Sequence, residues 1–280
     1  MLTTQMVTLL VCPECKQKLE AEVAKQNQDL VQEAQLRCPS CEESYEVYNG
    51  IPNLIPTSIS DNKHWELWRQ HLDGFAARRE SRQGSGLKMP HPKASTTHAA
   101  FFEFSKIKGG TVLDIGCGPG KLRHYLNEKE TDYIGLDPLP MDESRDFRFV
   151  HALGEYIPFQ DNTFSHMLVI SALDHFKNLP LFFGEAKRVL KKDGRLLILQ
   201  STHEVSGPAT LVKMLTHLAK DTLDSRATTK EHADTPKHMN EFTFTSLVEH
   251  AKGHFTLADN DSYSKAWYSP QKYFMSFRPS

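Results

Sequence analysis

No apolar run in this chain approaches the ~20 residues that a helix needs to cross a bilayer. Met1–Gln5 holds no basic residue, and the apolar stretch Val7–Val11 is too short for the core of a secretion signal. Both absences set the expectation of a cytoplasmic protein without a membrane span. A basic excess is missing too: 33 Lys and Arg face 35 Asp and Glu, for a formal net charge of −2. Proteins that grip a phosphate backbone usually carry a clear positive surplus. The average therefore speaks against nucleic-acid binding, although a local patch can hide within it. Internal repeats are absent, and the 14 histidines are scattered rather than clustered. With 280 residues, 39% hydrophobic and 24% charged, the chain can build one large domain or a large one plus a small one.

Cysteine is scarce and unevenly placed. Four of the five lie in the first 41 residues, as Cys12-Pro13-Glu14-Cys15 and Cys38-Pro39-Ser40-Cys41. Two CxxC pairs at this separation offer four thiolates to a tetrahedral Zn²⁺. A reducing cytoplasm disfavours disulfides, and a closed four-thiolate site leaves no open position, so the metal is expected to be structural. Leu19, Val23, Leu30 and Leu36 punctuate the polar stretch between the pairs and suggest a hairpin-like excursion. Tyr45–Pro52 alternates as a strand and ends in a turn. Residues 1–57 thus read as a zinc ribbon, and 58–96 as a linker. That linker holds a helical piece (Trp65, Leu67, Trp68, Leu72), a Gly/Ser-rich stretch at Gln83–Gly86, and Pro90 and Pro92. If ribbon and remainder are separate units, Cys38→Ser is expected to unfold the ribbon alone.

Residues 97–280 follow another pattern. A helix is expected over Thr97–Lys106, strands at Thr111–Asp114 and Tyr133–Leu136, and a helix at Lys121–Asn127 between them. Phe164–Ile170 reads as a buried strand, Leu181–Leu190 as an amphipathic helix stopped by Lys191–Gly194, and Arg195–Gln200 as another strand. A helix at Pro208–Leu223, a loop at Ala227–Asn240, a helix around Leu247 and two final strands near Phe255–Ala258 and Tyr273–Phe277 complete the chain. Strands alternating with helices imply an α/β fold, a Rossmann-like and mostly parallel sheet covered on both faces. The ligand site belongs at the strand C-termini. The insertion 201–240 is expected to form a lid, where His203, His232 and His238 could face a substrate.

The segment Val112-Leu113-Asp114-Ile115-Gly116-Cys117-Gly118-Pro119-Gly120 is the most informative. A strand ends at an acidic residue and enters a loop with glycine at every second position. Glycine permits φ > 0 and removes the Cβ, so a ligand can lie against the backbone. A dinucleotide fingerprint would carry a third glycine where Lys121 stands, and Pro119 removes an amide that a phosphate cradle would use. The loop suits a nucleoside without a pyrophosphate. Asp137 closes the second strand, Tyr133-Ile134-Gly135-Leu136-Asp137, at the distance where a carboxylate meets ribose hydroxyls. Cys117, inside the loop, reads as a small packing residue.

These residues resemble the class I SAM-dependent methyltransferases, over roughly Phe101 to Leu199. The likeness includes Gly154–Phe159 and Glu185–Arg195 as well. It implies a seven-stranded sheet and S-adenosylmethionine (SAM) as cofactor. In that family the matches to Asp114, Gly116 and Gly118, with Cys117 and Gly120 in the same loop, hold the methionine end. Asp137, followed by Pro138, takes the ribose, and Leu153, Gly154 and Glu155 flank the adenine. Relatives usually place Asp where this chain has Leu153, so adenine is left to backbone groups near Gly154 or to Glu155. The N-terminal segments Leu10–Lys16 and Tyr45–Pro56 resemble the small zinc-ribbon activators of RNA and protein methyltransferases, here fused to the larger unit.

Methyl transfer from a sulfonium is an in-line displacement, in which holding donor and acceptor collinear supplies much of the catalysis. The fourth strand delivers Ser171-Ala172-Leu173-Asp174-His175-Phe176 to the acceptor side. His175 is the candidate base, with Asp174 as the alternative, and Ser171 borders the cofactor. Enzymes that methylate exocyclic base amines carry an Asn/Asp/Ser-Pro-Pro-aromatic run at this place, and this chain does not. A small molecule, lipid or glycan precursor is the expected acceptor. An RNA methyltransferase that docks through its ribbon is the alternative, and a SAM-binding protein without catalysis a further one.

Overall fold

The computed structural model describes residues 2–60, 95–139, 145–202, 239–264 and 271–280, with the helical positions 66, 70, 73 and 74. The expected linker residues Trp65–Pro92, save those four positions, and nearly all of the expected lid, 203–238, lie outside this set.

The N-terminal unit is a small sheet. Its elements are β1 (Leu2–Thr3), α1 (Thr4–Val7), β2 (Glu20–Asn27), β3 (Leu30–Arg37), β4 (Ser44–Tyr48) and β5 (Ile51–Pro52), and α2 (Thr57–Ser60) follows it. β2 and β3 pair antiparallel as the hairpin between the two CxxC turns, and β3, β4 and β5 continue the sheet. Period-two alternation places Tyr45 and Val47 inward and Ser44, Glu46 and Tyr48 outward. Asn49 and Gly50 join β4 to β5 with φ of 50° and 74°, the positive pair that a two-residue hairpin turn requires.

The large sheet has seven strands: β6 (Gly110–Ile115), β7 (Thr131–Asp137), β8 (Arg148–His151), β9 (Phe164–Ile170), β10 (Leu190–Ser201), β11 (Phe255–Tyr263) and β12 (Lys272–Pro279). Their order is β11-β12-β10-β9-β6-β7-β8. β8, β7, β6, β9 and β10 run parallel, and β12 is antiparallel to both neighbours. The central strands are apolar on both faces, as a covered parallel sheet demands: Leu113, Met167, Val169 and Ile198 belong to one core, Val112, Leu168, Leu197 and Leu199 to another. Helices start on side-chain caps: Ser95 for α3 (Thr96–Ser105), Asn178 for α4 (Leu179–Val189), and a Thr243–Ser246 capping box for α5 (Phe244–Ala251). No helix among the described residues is long and apolar enough to cross a membrane.

Two elements differ from expectation. Residues Lys121–Tyr125 form a short 3-10 turn instead of an α-helix to Asn127. Gly120 enters it at φ 68°, and Asn127 ends the segment with an Asx turn, its Oδ1 accepting from the Lys129 amide. The expected stop at Lys191–Gly194 lies inside β10, which begins at Leu190 and carries a bulge before Arg195.

The ribbon and the large sheet share one core. Leu2, Met6, Leu10, Leu36, Tyr45, Val47 and Leu54 of the ribbon join Leu113, Val150, Phe159 and Phe164 of the larger unit in a single buried cluster. Backbone bonds run across the junction, from Val11 N to Pro158 O (3.0 Å), from Gln160 N to Leu9 O (3.0 Å) and from Leu54 N to His151 O (2.8 Å). Lys16 Nζ reaches Glu185 Oε2 at 2.7 Å, and Arg188 ties Glu185 to the carbonyls of Ile157 and Phe159. A continuous core removes the basis for expecting Cys38→Ser to unfold the ribbon alone, because ribbon side chains are also the floor under β8. Leu54→Ala, at a position that is 0% exposed, should cost about 2–4 kcal/mol. Denaturant unfolding followed by circular dichroism should show one transition for the whole chain, lowered in midpoint by the variant. Two resolved transitions, with only the smaller one shifted, would separate the units.

Candidate functional site

β6 and β7 lie side by side in register, Asp114 opposite Gly135 and Ile115 opposite Leu136. The chain leaving β6 turns with Gly116, Gly118 and Gly120 at φ of 71°, 55° and 68°. A side chain at Gly116 would also clash, its Cβ falling 2.6 Å from Ala172 Cβ, and one at Gly120 would strike the Phe147 ring. The Gly116 and Cys117 amides donate to Leu136 O, at 2.8 and 3.2 Å. Cys117 is buried, with Sγ 3.5 Å from Gly118 O.

Two carboxylates meet at this turn. Asp137 accepts from Gly118 N through Oδ2 (2.8 Å) and from Leu139 N through Oδ1 (2.9 Å), so it holds the loop and its own following turn together. Asp114 is buried; Oδ2 accepts from the Tyr133 hydroxyl at 2.6 Å, while Oδ1 has no hydrogen-bond partner among the described residues. Burial pushes the Asp114 carboxyl up to about 7; the Asp137 charge adds to this, and the Tyr133 bond opposes it. Arg145, which no sequence pattern marked, lies over the Phe149 ring at 3.5 Å and donates to Gly118 O at 2.7 Å.

At the end of β8, Leu153 is buried against Ile59 of α2, with Ile55, Tyr156 and Met239 packed on the pair. The Gly154 backbone leaves no room for a Cβ, which would fall 2.8 Å from the Phe176 ring. Glu155 Oε1 accepts from the amides of Lys177 (2.8 Å) and Asn178 (3.4 Å), so this carboxylate faces the start of α4. Pro138 O faces His151 Nε2 at 2.8 Å.

Directly after β9 comes Ser171, exposed and at φ 53°, with its amide on Leu199 O. Asp174 and His175 follow in a 3-10 turn, with His175 Nε2 3.9 Å from Asp174 Oδ1, beyond hydrogen-bond reach. Met239 and Asn240, where the chain returns from the insertion, donate from their amides to Asp174 O (2.7 and 3.1 Å), and Asn240 Nδ2 donates to Phe176 O. No local sequence signal pointed to Asn240, because its partners lie more than 60 residues away.

The four N-terminal cysteines converge, their Sγ atoms all within 4.8 Å of one another. Sγ pairs stand 3.4–3.6 Å apart, close to the ~3.8 Å edge of a tetrahedron built on Zn–S bonds of ~2.3 Å. Each CxxC closes as a tight turn, Lys16 N on Cys12 O and Glu42 N on Cys38 O, with Lys16 and Glu42 at positive φ. Cys117 lies apart from this cluster, at the glycine loop.

Asp114 makes the site sensitive to pH. Its proton is held more tightly in the folded chain (about 7) than at the ordinary carboxylate value of 3.8. Its contribution to stability is therefore greatest below about pH 4, and falls as pH rises to about 7, by at most ~1.4 kcal/mol per unit. Asp114→Asn should flatten the ligand-free stability profile across this window. Denaturant midpoints measured between pH 4 and 8 test it, and a variant profile parallel to wild type would contradict it.

Residues 113–198 match the family model described as a methyltransferase domain. A protein of Papaver bracteatum named "Probable (S)-tetrahydroprotoberberine N-methyltransferase 2" is 29% identical over 152 residues, 46% of this chain and 41% of that protein. The 18S rRNA (guanine-N(7))-methyltransferase of Bos taurus is 31% identical over 105 residues, 31% of this chain and 37% of that protein. The chain thus spans less than half the length of these curated relatives. Among solved structures, a Burkholderia thailandensis 1,6-didemethyltoxoflavin-N1-methyltransferase, bound to its substrate and S-adenosylhomocysteine, is similar with a TM-score of 0.54, covering 93% of this chain and 99% of that one at 16% identity. A complex between the Haloferax volcanii Trm112 methyltransferase activator and a methyltransferase gives 0.50, covering 76% and 97% at 16% identity. The segment from Leu113 to Ile198 is thus similar to methyltransferase domains, and the seven-stranded sheet around it has the fold of a methyltransferase structure.

Proposed function

We propose that this chain transfers a methyl group from S-adenosylmethionine to a small-molecule acceptor. One observation carries the reading: a glycine loop beside a buried acidic oxygen, Asp114 Oδ1, without a partner among the described residues, within a segment that matches a methyltransferase domain. That oxygen fits a cationic ammonium group, as on the methionine end of the donor, and the crowding at Gly116 and Gly120 keeps the loop free of side chains. Asp114, Gly116, Cys117, Gly118 and Gly120 would hold the methionine end. Asp137 and the Pro138 turn would take the ribose, and Leu153 and Gly154 would border the adenine. Glu155 acts through the Lys177 and Asn178 amides that lead into α4, and Ser171 would border the donor. When bound, SAM supplies an electrophilic methyl carbon on a sulfonium.

The chain's own contribution is to orient and, for a protonated acceptor, to remove a proton. His175 is the residue suited to accept it, with Asp174 beside it as the alternative. Cys12, Cys15, Cys38 and Cys41 hold a structural Zn²⁺ in this reading, and the ribbon serves as a built-in counterpart of the separate activators. The small-molecule choice rests on the net charge of −2 and on the acidic outer face of the ribbon, where Glu20, Glu22 and Glu46 are exposed. Phosphate is repelled by such a face. The names of two similar proteins, a tetrahydroprotoberberine and a didemethyltoxoflavin methyltransferase, agree with it. RNA is the second reading, favoured by the fused ribbon and by the similarity to an 18S rRNA methyltransferase.

Incubating the chain with SAM labelled at the methyl group, separately with RNA and with small-metabolite extracts, should place label in the small molecules. Asp137→Ala should weaken donor binding by roughly 1.5–3 kcal/mol, and His175→Ala should lower turnover ~10²–10⁴-fold with donor affinity unchanged. Label in RNA alone would overturn the acceptor assignment. Full donor affinity in Asp137→Ala would overturn the donor site, and an unimpaired His175→Ala the base.

A further inference from the structure

Asn53 and His151 meet where the two sheets join. The chain leaving β5 runs parallel to β8, with Asn53 paired to His151. The His151 ring, half-buried, lies between two parts of the molecule. Nδ1 stands 3.0 Å from Asn53 Oδ1, and Nε2 stands 2.8 Å from the Pro138 carbonyl oxygen. Pro138 has no N–H, so its carbonyl is that residue's one backbone hydrogen-bonding group. Directly before it is Asp137, whose carboxylate binds the amides of Gly118 and Leu139. A single chain of contacts therefore leads from the ribbon exit, through an imidazole, to the glycine loop.

We propose that His151 is a positioning residue for the methyl donor: held by Asn53 of the ribbon, it fixes the Pro138 carbonyl and so sets the carboxylate of Asp137 toward the ligand's hydroxyls. This rests on the donor-site reading above. Burial lowers the His151 pKa, partly offset by the Pro138 carbonyl and the Asp137 charge, while Arg145 lowers it further. Nε2–H donates to Pro138 O, and Nδ1 faces Asn53 Oδ1. Asn53 Oδ1 also accepts from the Ile55 amide at 3.4 Å, which holds that side chain at the ribbon exit. A second contact reinforces the link, since Ile59 of α2 covers Leu153 two residues beyond His151. The ribbon exit thus touches the donor site by a polar route and by an apolar one.

Three variants test the polar route: His151→Phe keeps a ring without an N–H, His151→Gln keeps a side-chain N–H donor of similar reach, and Asn53→Ala removes an exposed partner. S-adenosylhomocysteine is titrated into each full-length protein by calorimetry, with melting temperatures measured alongside. His151→Phe should weaken binding ~10-fold, as loss of one hydrogen bond of about 1.4 kcal/mol implies. His151→Gln should stay within ~2-fold of wild type. Asn53→Ala should weaken binding in the wild-type background and add nothing to His151→Phe. If His151→Phe fails to fold, weaker binding by Asn53→Ala at an unchanged melting temperature supports the inference, and unchanged binding overturns it. Equal affinity in wild type and all variants overturns this inference alone, and so does a His151→Gln protein as impaired as His151→Phe. Wild-type protein that binds no S-adenosylhomocysteine overturns the donor site and this inference with it.

Discussion

The bond from the Leu54 amide to the His151 carbonyl, 2.8 Å long, marks the place where the N-terminal unit caps the β8 edge of the large sheet. An open edge strand carries unpaired amides and carbonyls that need cover. Here the chain leaving the ribbon supplies that cover in parallel with β8, and it buries Leu54 in the same step. The cysteine turn completes the attachment from the other side. Lys16 follows Cys15 and reaches Glu185 on α4, while Val11 and Leu9 exchange backbone bonds with the segment Pro158–Gln160. Folding of the cysteine turns and order at the end of β8 are therefore parts of one packing problem.

The glycine loop depends on that order. β8 flanks β7, β7 ends in Asp137, and Asp137 anchors the Gly118 amide. The loop itself is poor in side chains by necessity, since Ala172 and Phe147 already occupy the space that Cβ atoms would need. Charge is concentrated in two carboxylates on neighbouring strand ends. One is bound by amides, and the other is buried with an oxygen left over. A site of this kind favours a ligand that brings hydroxyl donors to the first and a positive group to the second.

Much of this was legible in the residues. The alternating glycines declare a backbone requirement that holds wherever they sit, and an acidic residue closing the next strand is a local pattern. The CxxC pairs state their geometry by spacing alone. Contacts between distant segments left no such mark. Lys16 and Glu185 are 169 positions apart, and Asn53 and His151 are 98. Each of these four looks like an ordinary surface residue until the fold brings it to its partner. Glu155 was misleading for the same reason: it stands in the adenine-flanking run, yet its carboxylate binds amides at the start of α4. Lys121–Asn127 has helical composition, but a positive-φ entry and an Asx exit leave room for one short turn.

The central claim is that ribbon and sheet form one unit whose order the methyl-donor site requires. The most direct measurement is calorimetric titration of S-adenosylhomocysteine into the intact chain before and after its metal is stripped by a chelator, with zinc content determined in both samples. The account predicts about one zinc per chain, micromolar binding in the metal-containing protein, and binding lost or greatly weakened once the metal is removed. Full affinity in metal-free protein with an unfolded ribbon would contradict it.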